Sequence, residues 1–102
     1  VSANPMRGEA AFPVRGAALR LRPSFAALVA AETELGSLFA LVERAAEGRL
    51  RLDEVVALFW HCRSDAPEAL DRASLGEAVV EAGLAAALPA LRQLLGQIVQ
   101  GR

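Results

Sequence analysis

Lysine and tyrosine are absent from this chain, and histidine, cysteine and tryptophan occur once each, as His61, Cys62 and Trp60. A lone cysteine excludes an intrachain disulfide and fits a buried thiol in a reducing compartment. One histidine with one cysteine supplies neither the ligands of a zinc site nor a nucleophilic triad. The two are also neighbours in a helical pattern, where adjacent side chains diverge by about 100° and do not face one another. No window reaches the roughly 18 consecutive apolar residues of a membrane span. The glycines follow neither GxGxxG nor GxxxxGK[ST] spacing, so phosphate-cradling loops are excluded. Carboxylates fall in local pairs, Glu32/Glu34, Asp53/Glu54 and Asp65/Glu68, each suited to a helix cap or a solvated face. The expectation is a protein that is not an enzyme, with no catalytic residue, metal or cofactor.

What is present is apolar and small. Hydrophobic residues make up 54% of the 102 positions, and mean hydropathy is +0.32, high for a soluble chain of this size. Much of that is alanine, a helix former that lets helices pack closely. Leucine, valine and phenylalanine are numerous enough to leave apolar surface for a client or a second copy. The bias toward Ala, Arg, Gly, Leu and Val, with Ile98 as sole isoleucine, follows the codons of a GC-rich bacterial or phage genome. The opening Val1-Ser2-Ala3-Asn4-Pro5 lacks the apolar core of a secretion signal, so a soluble, cytoplasmic protein is expected.

Net charge is −1 but uneven. Arg7, Arg15, Arg20 and Arg22 face Glu9 alone in the first third, and the rest is acidic. Arginines spread over two strands make a thin phosphate track, so nucleic-acid binding ranks as a minor alternative beside a solvated strand face.

Two rhythms organise the chain. Leu19-Arg20-Leu21-Arg22 alternates as a half-buried strand does, and Pro23-Ser24 then opens a helical stripe at Phe25 and Leu28. The reading is a mainly α fold: one domain, 1–102, with a flexible leader over 1–7, a β-hairpin over 8–22 and a helical body over 24–100. That body holds about four to five helices. The hairpin turns at Arg15-Gly16, and Pro13 places its first strand at an edge.

The first helix spans Ser24 to Leu35, with Phe25, Leu28, Val29 and Leu35 toward the core and Glu32 and Glu34 toward water. The second spans Ser37 to Glu47, with Leu38, Leu41, Val42 and Ala45 as its apolar set. Arg49-Leu50-Arg51-Leu52 reads as a connector. A third helix, Glu54 to Arg63 behind Asp53, is apolar nearly all round and therefore central or covered by another chain. Capping-box spacing at Asp65–Glu68 and Ser74–Glu77 marks a helical turn near 67–72 and a fourth helix near 75–82. The last helix covers Leu84 to Val99, with a start or kink at Pro89.

Two sets are candidate partner-binding residues. Phe59 and Trp60 point to different helix faces, so both belong to the core or one anchors a partner. Leu88, Leu91, Leu95, Ile98 and Val99 are the apolar stripe of the last helix, and within it Leu91, Leu95, Ile98 and Val99 are either core or a face offered to a groove.

In order and length, nearly the whole chain resembles the gene transfer agent family of small tail proteins, grouped with phage tail assembly chaperones. The residues that carry the resemblance are Asn4-Pro5-Met6-Arg7-Gly8-Glu9, Leu19-Arg20-Leu21-Arg22-Pro23 running into Phe25-Ala26-Ala27-Leu28, Leu35-Gly36-Ser37-Leu38, Leu75-Gly76-Glu77-Ala78-Val79 and Glu81-Ala82-Gly83-Leu84. The resemblance implies a part in building a phage-like tail, with the tape measure protein or tail tube protein as partner. It transfers no catalytic or binding residue. Three functions follow as expectations: a noncatalytic tail assembly chaperone of a gene transfer agent or prophage, a structural tail component retained in the particle, and a small nucleic-acid-binding regulator. Self-association into a homo-oligomer is expected when the client is missing.

Overall fold

The computed structural model describes residues 9–14, 17–64 and 69–101. The leader over 1–7, the Arg15-Gly16 turn and the Asp65–Glu68 capping box lie outside the described residues.

Strands β1 (Ala10–Val14) and β2 (Ala17–Leu21) pair antiparallel, Ala10 opposite Leu21 and Val14 opposite Ala17. The two-residue alternation decides which side is buried: Ala10, Phe12, Val14, Leu19 and Leu21 face inward. Pro13 sits on β1, which is an edge strand, as its missing donor requires.

The helices begin where short polar side chains can hold a first turn. Ser24 Oγ accepts from Ala27 N–H ahead of α1 (Phe25–Leu35), and Ser37 Oγ accepts from Ala40 N–H ahead of α2 (Leu38–Ala46). Gly36 closes α1 at a φ of 84°, a conformation open to glycine. Helix α3 (Leu52–Cys62) starts two residues earlier than the sequence implies, because Glu54 reaches back to accept the Arg51 N–H at 2.9 Å. It buries Val55, Val56, Ala57, Leu58, Phe59 and Cys62, which makes it the central helix.

Beyond α3 the chain departs from expectation. Arg63–Ser64 form a third strand, β3, antiparallel to β2, where the sequence reading continues the helix through Arg63. Arg22 N–H donates to the Cys62 carbonyl at 2.7 Å, tying the sheet to the end of α3. Helix α4 (Arg72–Ala82) starts at an Asp71 cap that accepts the Ser74 N–H, one turn ahead of the expected Ser74 start. Ala69 to Asp71 precede it without forming a helix. Helix α5 (Leu84–Gln100) runs from Leu84 with Pro89 inside it, so the start is not at the proline. The missing proline N–H forfeits one bond to Ala85, an exposed residue in the second helical position.

Helix α3 packs on α1 and α4, α4 on α5, and α4 and α5 lie across β1. One hydrophobic cluster joins the sheet's inner face to all five helices, with Phe12 and Phe59 in contact at 5.4 Å between ring centroids. The expected face of α1 is corrected here. Ala31 is the fully buried residue, with Ala27, Leu28 and Leu35 beside it, while Phe25 and Val29 stand exposed. Alanine lets α1 approach α3 closely, which turns the larger side chains outward.

Candidate functional site

Five arginines among the described residues are committed to carboxylates. Arg20 meets Glu9, Arg44 meets Glu54, Arg49 meets Glu47, Arg51 meets Asp53, and Arg72 meets Glu34. Of the arginines of the expected basic hairpin, Arg20 is in such a pair, and Arg7 and Arg15 lie outside the described residues. Glu34, expected to face only water, instead accepts from both terminal nitrogens of Arg72 and lies 2.8 Å from His61 Nε2. These bonds, Arg72's first, lower its pKa from 4.5 to about 2. Arg44 likewise holds Glu54 below the usual carboxylate range.

His61 and Cys62 part company as helix geometry demands. His61 reaches the Glu34–Arg72 pair, whereas Cys62 is buried in the core, where desolvation pushes its thiol up to about 12. A thiol held that far from ionisation is a poor nucleophile at neutral pH. Among the described residues no three His, Cys, Asp or Glu side chains gather as a metal site. No single described helix is long and apolar enough to cross a membrane.

The remaining feature is apolar surface. Phe25 is 85% exposed and Phe39 86%, with Val80, Leu84 and Val99 near 60%. Phe39 lines a groove of about 570 Å³ between α2 and the C-terminal end of α5, along with Leu38, Val42, Ile98 and Val99. Glu32 and Glu43 form its edge. A second apolar groove of about 320 Å³ runs between the α2–α3 connector and α5, over Leu50, Leu52, Val55, Leu84, Leu88 and Leu91. A wider open cleft of about 1170 Å³ between α3 and α4 carries Glu34 paired with Arg72, Arg51 paired with Asp53, and Glu54 paired with Arg44.

The candidate residues distribute unevenly over this surface. Phe59 is fully buried against Phe12, and Leu91 is buried as well, so both are spent inside the chain. Trp60 is half-buried, its ring covered by the Arg63 guanidinium at 3.5 Å and approached by Arg72 at 5.8 Å. Leu95 and Ile98 are half-buried and Val99 is exposed. Helix α5 turns Ala87, Ala90, Leu91 and Leu94 inward, a face rotated from the Leu88–Leu91–Leu95 stripe. The structure thus brings Ile98 and Val99 together with Phe39 and leaves Phe59 and Trp60 elsewhere.

Phe25, Phe39, Leu84 and Leu88 were missed as surface candidates. Phe39 did carry a signal, since it falls outside the Leu38–Leu41–Val42–Ala45 stripe of its own helix.

Residues 7–101 match the family described as "Phage tail tube protein, GTA-gp10". Comparison with curated proteins and with solved structures gives no match.

Proposed function

This chain belongs to the phage tail tube family GTA-gp10, and from that premise we propose that it is a noncatalytic tail assembly chaperone. It works in the cytoplasm as a single domain and holds the tape measure protein or the tail tube protein through apolar helix surface. The observation that carries the reading is the set of large apolar side chains left on the outside of a filled core, Phe25 and Phe39 above all. Covering such surface is worth about 25 cal/mol per Å² before the costs of association. An apolar segment of an unassembled tail protein gains the same protection from water, which keeps it from joining its own copies. The sheet has three short strands among the described residues, little material for a tube wall built by sheet pairing.

Coexpression with the tape measure protein encoded alongside tests the proposal. The expected result is a soluble complex and a larger soluble fraction of the tape measure protein. An unchanged fraction would overturn it. A second reading, a structural part retained in the particle, is favoured by the family's description as a tail tube protein. Stoichiometric recovery from purified particles would establish that role and end the purely transient one.

A further inference from the structure

The groove between α2 and α5 differs from the other two in the sign of its edge. Its lining holds Leu38, Phe39, Val42, Ile98 and Val99 as floor and wall, and the charged residues in it, among the described residues, are the carboxylates Glu32 and Glu43. Glu32 spends one oxygen on the Leu38 N–H at 3.2 Å. The C-terminal ends of α1 and α5 both reach this region, and neither helix has a basic residue in its last turn. Their free carbonyls therefore add negative partial charge that the helices leave uncompensated. Along α1, Phe25 and Val29 precede Glu32 at i, i+4 and i+7, so an exposed apolar stripe leads into the groove.

We propose that this groove docks an amphipathic helix of a partner protein, its apolar stripe seated between Phe39 and Val99 and its edges carrying Arg or Lys toward Glu32 and Glu43. The inference rests on the reading of the chain as a holder of another tail protein, and it specifies which segment of that protein is held. Helix-in-groove recognition needs an apolar trough that takes side chains of one helix face, and Leu38, Phe39, Val42, Ile98 and Val99 line one. Charge decides against the other obvious occupant. A second copy would present the same patch across a two-fold axis, setting Glu32 and Glu43 against like charges.

The test uses two synthetic helical peptides of about five turns with the same leucine stripe. One has lysine along both edges of the stripe and the other has glutamate. Binding to the full chain is read by fluorescence anisotropy. The lysine-edged peptide is expected to bind at least about tenfold more tightly than its twin. Phe39→Ser should weaken it by about tenfold, the loss of an aromatic anchor, and Glu43→Arg should reverse the preference between the peptides. Val80→Ser, an exposed apolar change on α4 outside the groove, should alter nothing.

Equal binding of both peptides, no effect of Phe39→Ser, or an unreversed preference in Glu43→Arg would overturn the proposal. So would a dimer of the free chain that Phe39→Ser dissolves, since the occupant would then be a second copy. Coexpression separates this inference from the function it rests on. If the Phe39→Ser chain solubilises the tape measure protein as well as the parent does, the groove assignment fails while the chaperone reading stands. If the parent chain has no effect, the chaperone reading itself fails, and the peptides judge the groove alone.

Discussion

Glu34 and Arg72 meet in a two-pronged ion pair, Oε2 accepting from Nη1 at 2.6 Å and Oε1 from Nη2 at 2.9 Å, which joins α1 to α4 past the end of α3. His61 adds a contact to the same carboxylate from α3, so three helices are fastened at one acidic group. A planar guanidinium facing a carboxylate is the strongest form such a surface pair takes.

That geometry sets a pH dependence. The Glu34 pKa is lowered from 4.5 to about 2, so the pair's stabilisation is complete above pH 4.5 and is lost as pH falls toward 2. Side-chain exposures of 39% and 42% keep its worth to about 1 kcal/mol. Urea unfolding of Glu34→Gln should show about that deficit near neutral pH. The two proteins should converge at the acid end, and a gap constant across the range would exclude the assignment.

Phe59 contributes through packing. Its ring is wholly enclosed and meets Phe12 at an interplanar angle of 53°. Phe59→Ala should cost about 3–5 kcal/mol, much of the total for a small domain. Calorimetry is expected to show a broad, low transition or none. Phe59→Leu, which keeps most of the volume, should lose about 1.5 kcal/mol and stay cooperative.

Two glycines should respond in opposite directions to the same change. Gly83 joins α4 to α5 at a φ of 91°, where a side chain strains the backbone although space is open. Gly83→Ala is expected to lose about 1–3 kcal/mol. Gly96 lies within α5 with nothing near its missing Cβ, and Gly96→Ala should gain about 0.5–1 kcal/mol. Thermal melts of the two variants would move to either side of the parent.

Cys62 should behave as a sealed thiol. With its pKa raised by burial to about 12, it is expected to react with an aromatic disulfide reagent only as fast as the chain opens. Denaturant should make the reaction prompt. Prompt reaction of the native chain would mean that the end of α3 is open to solvent.

Much of this architecture was readable from single residues whose chemistry admits few positions. Ser24 and Ser37 cap helices, Gly36 and Gly83 end them, and Pro13 lies on an edge strand, all as local rules require. What escaped depends on partners distant in sequence. Strand β3 is only Arg63–Ser64, too short to signal itself, and exists because α3 delivers it beside β2. Phe25 and Val29 have the right spacing for a core face, but the close approach of α1 selects Ala31 instead. The Ser74 spacing suggested the start of α4, yet Ser74 gives its N–H to Asp71 three residues earlier, which is where the helix begins. Of the lining of the α2–α5 groove, Ile98 and Val99 at the end of the α5 stripe were legible. Phe39 was legible as a residue off the stripe of its own helix but not as part of a groove, because the period of one helix says nothing about a neighbour that leaves a gap beside it.

The short strand β3 also bears on how the chain is made. Leu21 finds Arg63 only after three helices have been synthesised, so the hairpin leaves the ribosome with one side open. During that interval β2 can accept a strand from any other nascent chain nearby. The opposite side of the hairpin is guarded from the start, since Pro13 interrupts its row of donors. The exposure therefore lasts from the first strands until the end of α3, and closing it is the task of two residues.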